Sequence, residues 1–182
     1  NQAYAAMVRD LDISIGNLLN AYDDLDLGSN TYVILISDNG GMPVLPQQVN
    51  RGIPYKPGLN SPLLRGKWDL MEGGIRIPFA VYGPNIPPSS QSDEPVVTHD
   101  ILPTLADLAG SVEQIGQDIE GVSLVPLLRQ TDSKVDRAFD SLVFHYPHYN
   151  LVGMSEPHSA IRFGDYKPVS YTHLTLPTIR SV

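Results

Sequence analysis

Apolar residues recur at spacings of three and four near the start of the chain, at Tyr4, Met7, Val8, Leu11, Ile15, Leu18 and Leu19. That stripe predicts an amphipathic helix over residues 4–22. Arg9, Asp10, Ser14 and Asn17 fall on its other faces, and Asp12, beside the stripe, reads as a solvated carboxylate. Gly28 and Asn30 end the segment. The pattern then changes to an unbroken apolar run, TYVILISDNGG at residues 31–41, which stops abruptly in a carboxylate, an amide and two glycines. Such a run predicts a strand buried on both faces, completing an α-then-β unit. Residues 42–61 carry Pro43, Pro46, Gly52, Pro54, Pro57 and Gly58 without a period, the signature of a long loop leaving the strand. A second dense stretch, PLLRGKWDLMEGGIRIPFAVYGP at residues 62–84, brackets charged residues with glycines and leads into a strand over 77–82.

Beyond a Pro/Ser-rich connector at 87–94, helical spacing returns at Ile101, Leu102, Leu105, Leu108 and Ala109. Thr98 or Asp100 is the N-cap candidate, Pro103 falls harmlessly in the first turn, and Gly110 closes the helix. His99 reads as a capping or packing residue. GVSLVPLL within 111–129 predicts a short strand or turn, and SLVFHYPHY at 141–149 a strand rich in aromatics. His145 and His148 make only a weak metal pair, because Pro147 breaks any helix that would align them; groove-lining or packing roles suit them better. The last fifteen residues, PVSYTHLTLPTIRSV at 168–182, have no amphipathic period and resemble translated adapter sequence. They are expected to be a non-native tail, and His173 is given no role.

With 182 residues, 42% hydrophobic and 18% charged, the chain has the composition of a folded domain with a sizeable core. A net charge of −8 argues against a nucleic-acid surface. No apolar run reaches the roughly 20 residues that span a bilayer. The absence of cysteine excludes disulfides, thiolate metal sites and a cysteine nucleophile within these residues. The chain opens on Asn1, directly in a helix pattern, and carries no signal peptide, as expected of an internal fragment.

Candidate chemistry concentrates in the two dense stretches. In an open α/β sheet ligands bind beyond the carboxyl ends of strands, where Asp38 and Asn39 fall. Both offer oxygen, the donor hard cations prefer, and Gly40 and Gly41 permit a positive φ or a close backbone approach. The same four residues also favour a plain turn. In the second stretch Arg65, Lys67 and Arg76 could present cations to an anion, or Glu72 could pair with Arg76 or Lys67 as an ordinary surface salt bridge.

Taken together, SDNGG at 37–41, LRGKWDLMEGGIRIP at 64–78 and DILPTLADLAG at 100–110 resemble, in order and spacing, the sulfatase family of the alkaline-phosphatase-like superfold. The helix YAAMVRDLDISIGNLL resembles the one before the family's SDNGG strand. HYPHY with PHSAIRFGDYK resembles the start of its smaller C-terminal subdomain. The resemblance implies an α/β fold, a sandwich of helices around a mostly parallel sheet, with residues 1–137 in the catalytic domain and 138–167 beginning the α+β subdomain. It implies calcium ligation by Asp38 and Asn39 and contact of Lys67 with the substrate sulfate. LLRGK stands where many relatives have LRGGK, while Lys67 keeps its place ahead of Glu72. The implied reaction is hydrolysis of a sulfate ester, on a sulfated carbohydrate, by a formylglycine made from a C/S-x-P/A-x-R motif. That motif is absent from these residues and is expected upstream. A phosphate or phosphonate ester hydrolase of the same superfold and a non-catalytic glycan-binding relative are the alternatives. The resemblance also implies export to the periplasm or the exterior.

Overall fold

The computed structural model describes residues 2–42, 60–116, 118–150, 155–171 and 178–180. Most of the expected loop at 42–61, and His173, lie outside the described residues. The amphipathic stripe does form a helix, α1 (Gln2–Asp24). Only Tyr22 of α1 is buried, while Met7 and Leu11 on the stripe are 69% and 60% exposed. The Tyr22 hydroxyl donates to the Thr31 carbonyl at 2.8 Å, and its ring meets Tyr82 edge-on at 5.5 Å. The helix is therefore pinned at its C-terminal end, beside the strands.

The apolar run gives β1 (Val33–Ile36), which pairs antiparallel with β2 (Phe79–Tyr82), Val33 opposite Tyr82 and Ile36 opposite Phe79. The expectation of burial on both faces is corrected here: Leu35 is 43% exposed, because within the described residues β1 belongs to a two-stranded ribbon. Between them lies one helical turn, α2 (Glu72–Ile75). The helix expected near 100 is present as a 3₁₀ turn, Thr98–Asp100, running into α3 (Ile101–Leu108). GVSLVPLL, expected as a strand or turn, contains a helical turn, α4 (Val125–Leu128); Pro126 sits in its first positions, where its fixed φ suits a helix start.

β3 (Ser141–Tyr146), β4 (His158–Phe163), β5 (Tyr166–Tyr171) and β6 (Thr178–Arg180) form an antiparallel sheet in sequence order. The α/β class stands, while every described strand pair is antiparallel. β3 stops just before Pro147, which would remove a ladder hydrogen bond. The boundary expected at 168 leaves no mark in the backbone: β5 runs through it, and Val169 is in the core. Period-2 alternation explains why, since Lys167, Val169 and Tyr171 share the inner face of β5. That face packs with Ala160, Phe144 and Tyr146 onto Leu70, Met71 and Ile75, so the sheet's core is shared with the second dense stretch.

A smaller buried centre lies around Asp100, which is fully buried. Its carboxylate accepts from the Val97 and Val122 amides at 2.8 and 3.1 Å and from both terminal nitrogens of Arg137 at 2.9 and 2.5 Å. Asp100 thus ties the start of α3 to the segment before α4 instead of capping α3 with its side chain.

Candidate functional site

Beyond β1 the chain turns within hydrogen-bonding reach of the second stretch. Ser37 Oγ donates to the Asn39 carbonyl and Asn39 Nδ2 to the Gly40 carbonyl, both at 2.9 Å. The Gly40 amide donates to the Gly74 carbonyl at 2.8 Å. A Cβ at Gly40 would stand 1.8 Å from the Gly73 carbonyl oxygen. Close backbone approach, and not a positive φ, is what requires glycine here. The next residue, Gly41, accepts from the Lys67 amide at 3.0 Å and from Asn60 Nδ2 at 3.0 Å. The two dense stretches of the sequence are therefore stitched backbone to backbone.

The second stretch is itself tightly folded. Gly73 donates to the Leu64 carbonyl at 2.8 Å, and Asn60 Nδ2 also reaches the Arg65 carbonyl at 2.8 Å. Arg65 and Trp68 flank Lys67 closely and hold left-handed backbone, at φ 61° and 76°. Left-handed backbone is costly for a bulky residue such as Trp68 and persists only where surrounding contacts enforce it. The Lys67 ammonium lies 5.8 Å from the Trp68 ring centroid, within cation–π range. Asp38, Asn39 and Lys67 line one cleft of about 990 Å³, which also receives Glu72, Arg76, His145 and Arg162. All three residues singled out in the sequence are thus brought to one cavity.

The surface pairing expected for Glu72 is corrected. Its carboxylate accepts from Lys167 Nζ at 2.7 Å and lies 3.5 Å from Arg162 Nη1, both on the C-terminal sheet. Among the described residues neither Lys67 nor Arg76 is in an ion pair. Lys167 is buried; burial pulls its ammonium below the usual lysine range, and the Glu72 hydrogen bond and charge offset part of that. His158, which the sequence reading passed over inside PHSAIRFGDYK, is 2% exposed and accepts from the Leu70 amide at 3.1 Å through Nε2. A strand histidine facing inward is a weak signal, since periodicity gives the face and not the partner. His145 instead bonds Ser159 Oγ at 2.8 Å, and His148 meets the Tyr146 ring edge-on. They form no metal pair, and among the described residues no group of three or more His, Asp or Glu could hold a metal ion. His99 is exposed, its carbonyl packed against Gly121.

Asp38 is exposed and Asn39 half-buried, adjacent hard oxygen donors at a rigid strand end. Their chemistry fits calcium, but calcium takes about six to eight oxygens, so the pair is part of a donor set. None of the described helices is long and apolar enough to cross a membrane.

A family model described as Sulfatase matches residues 1–111, and one described as N-sulphoglucosamine sulphohydrolase, C-terminal, matches residues 66–176. Human steryl-sulfatase is 34% identical over 144 residues, covering 79% of this chain and 24% of that protein. A protein of Formosa agariphila named Sulfatase is 34% identical over 172 residues, covering 88% of this chain and 29% of its own length. Human N-acetylgalactosamine-6-sulfatase is 32% identical over 144 residues, with 79% and 25% covered. The chain thus spans about a quarter of the length of the curated relatives it matches. Among solved structures, a protein in complex with its substrate D-glucosamine-2-N,6-O-disulfate superposes with a TM-score of 0.72 at 24% identity, covering 94% of this chain and 31% of that one. Ps i-CgsB in complex with k-i-k-neocarrahexaose gives 0.74 at 24% identity, with 97% and 35% covered. These likenesses carry the fold.

Proposed function

The chain belongs to the sulfatase family, and from that premise we propose that it supplies the metal-side strand end and the anion-binding lysine of an enzyme hydrolysing sulfate esters on sulfated carbohydrate. The observation that carries this reading is the stitching of Gly40 to Gly74 and of Lys67 to Gly41, which sets two hard oxygen donors and an ammonium on one cleft. Lys67 acts as a point charge: it attracts the sulfate group and stabilises negative charge on the sulfuryl oxygens as the ester bond breaks. Trp68, beside it, presents an aromatic face to the ammonium and restricts where it can go. Asp38 and Asn39 would hold calcium together with donors from elsewhere in the enzyme, and bound calcium supplies a Lewis acid at the sulfate oxygens. The formylglycine nucleophile is expected outside these residues. The charged side chains on the cleft, Lys67, Arg76 and Arg162 beside Asp38 and Glu72, support an anionic glycan over a steroid. The relatives' names span both, as steryl-sulfatase and N-acetylgalactosamine-6-sulfatase, and the solved structures carry sugars. Export of the enzyme to the periplasm or the exterior is part of the same reading and rests on the family resemblance alone.

The test is turnover by the full-length enzyme on a 6-sulfated N-acetylhexosamine, a steroid sulfate and a phosphate monoester. Lys67→Ala is expected to lower kcat/KM on the sulfated sugar by roughly 10²-fold, the scale of losing one charge-stabilising donor. Chelation of calcium should abolish turnover. Hydrolysis of the phosphate ester alone, or an undiminished Lys67→Ala enzyme, would overturn the assignment.

A further inference from the structure

The loop that carries Lys67 is held from two sides, and only one of them is the strand end. On the other side stands the C-terminal sheet. His158, at the start of β4, accepts from the Leu70 amide, three residues beyond Lys67. The direction of that bond is fixed by chemistry: a backbone N–H only donates, so Nε2 carries no proton. Nδ1 then carries it and donates to the Glu156 carbonyl at 2.5 Å. The ring is clamped between Tyr171, stacked at 5.2 Å, and Tyr146 at 5.5 Å. Asp69 Oδ1 lies 3.9 Å from Nε2 but is committed elsewhere, accepting from the Met71 amide, while Oδ2 accepts from Arg65, both at 2.8 Å. The neighbouring pair of Lys167 with Glu72 fixes the far end of the same loop.

We infer that His158 is a positioning residue for the anion-binding lysine: as a neutral acceptor it fixes the Leu70 amide, and through it the segment from Arg65 to Leu70, at the distance Lys67 needs to meet a sulfate. The inference deepens the proposed function and rests on the assignment of Lys67 to sulfate. Misplacing a charge by about 1 Å is enough to cost up to 10²-fold in a site of this kind. What His158 contributes is an acceptor at a defined reach, beyond the ring volume that any aromatic would supply.

That distinction selects the variants, made in the full-length enzyme and probed with inorganic sulfate as ligand and competitive inhibitor. His158→Gln keeps an acceptor at the reach of Nε2. His158→Asn keeps the donor toward Glu156 but falls short of Leu70, and His158→Phe keeps the ring alone. The expected result is sulfate affinity weakened about tenfold in the Asn and Phe variants and within about threefold of wild type in the Gln variant. KM for the sulfated sugar should rise in parallel and kcat should change less. Equal weakening in Gln and Asn, or none in either, overturns the inference, and this pair decides the matter if the Phe variant does not fold. Lys67→Ala separates the layers. If it leaves sulfate affinity unchanged, the assignment of Lys67 fails and this inference with it. If it weakens sulfate while His158→Asn does not, the positioning role alone fails.

Discussion

Gly40 and Asp100 are the residues whose substitution the geometry constrains most. A methyl group at Gly40 would overlap the Gly73 carbonyl, and that contact is backbone on backbone, so no side chain can swing away. Gly40→Ala must therefore open the gap between the strand end and the lysine loop. The expected cost is about 1–3 kcal/mol of stability, as for overpacking a core, with a higher KM for sulfate ester. A denaturant midpoint equal to wild type would contradict it. Asp100 is a different case, a buried carboxylate satisfied by two amides and a guanidinium. Burial alone would raise its pKa, but the Arg137 and backbone hydrogen bonds outweigh burial and hold it below the usual carboxylate range. Asp100→Ala strands Arg137 and should cost about 3–5 kcal/mol at pH 7. Because the folded pKa is depressed, the contribution is present above the unfolded value of about 3.9 and is lost as pH falls through the folded value. Urea titrations of wild type and Asp100→Ala should therefore draw together progressively as pH falls below about 4, and a difference that stays constant from about pH 7 into acid would refute the pairing as its source.

Among the elements, α1 and β1 show where periodicity informs and where it stops. The spacing of three and four residues gave the helix and its apolar stripe, because helix geometry alone decides which side chains share a face. The same spacing says nothing of what covers that face. Tyr22 is buried and Ile15 and Leu19 are half-buried, while Met7 and Leu11 stay exposed. GVSLVPLL, read as a strand or turn, holds a helical turn, because a short apolar run fits either period and the position of Pro126 decides it. His158 and Lys167 were illegible for a related reason. Alternation places them on the inner face of their strands, but a buried His158 makes sense only once the Leu70 amide is known to meet it, and a buried Lys167 only once Glu72 is known to lie opposite. Exposure of the α1 stripe has its own consequence. In the 182-residue chain Met7→Lys with Leu11→Glu should raise solubility and change stability by less than about 0.5 kcal/mol, as at other surface positions. Circular dichroism should show unchanged helix content, and a loss of helix would mean the stripe is packed in solution.

For the whole molecule, the sequence reading reached the strand end and the lysine loop but not the second anchorage that ties them to the C-terminal sheet. The two motifs carry their own local signals, glycines where backbones touch and charges that line the cleft. The anchorage is spread over strand positions that look like ordinary alternation. The tail illustrates the same limit, since PVSY has no period long enough to read and yet continues β5, with Val169 in the core. How much of the proposed calcium site these residues could supply follows from counting donors. Asp38 and Asn39 offer three side-chain oxygens against a requirement of about six to eight, and among the described residues no third His, Asp or Glu joins them in a cluster. Preorganisation of the strand end by Gly40 and Ser37 lowers the entropy cost of binding but adds no ligand. Calorimetric titration of the 182-residue chain should accordingly give a calcium affinity of about millimolar or weaker, the range of sparsely liganded sites. Asp38→Ala should remove what binding there is, and the chain alone should not turn over sulfate esters. Micromolar calcium affinity in this chain would require further donors from its own residues and would overturn the division of the site argued from Asp38 and Asn39.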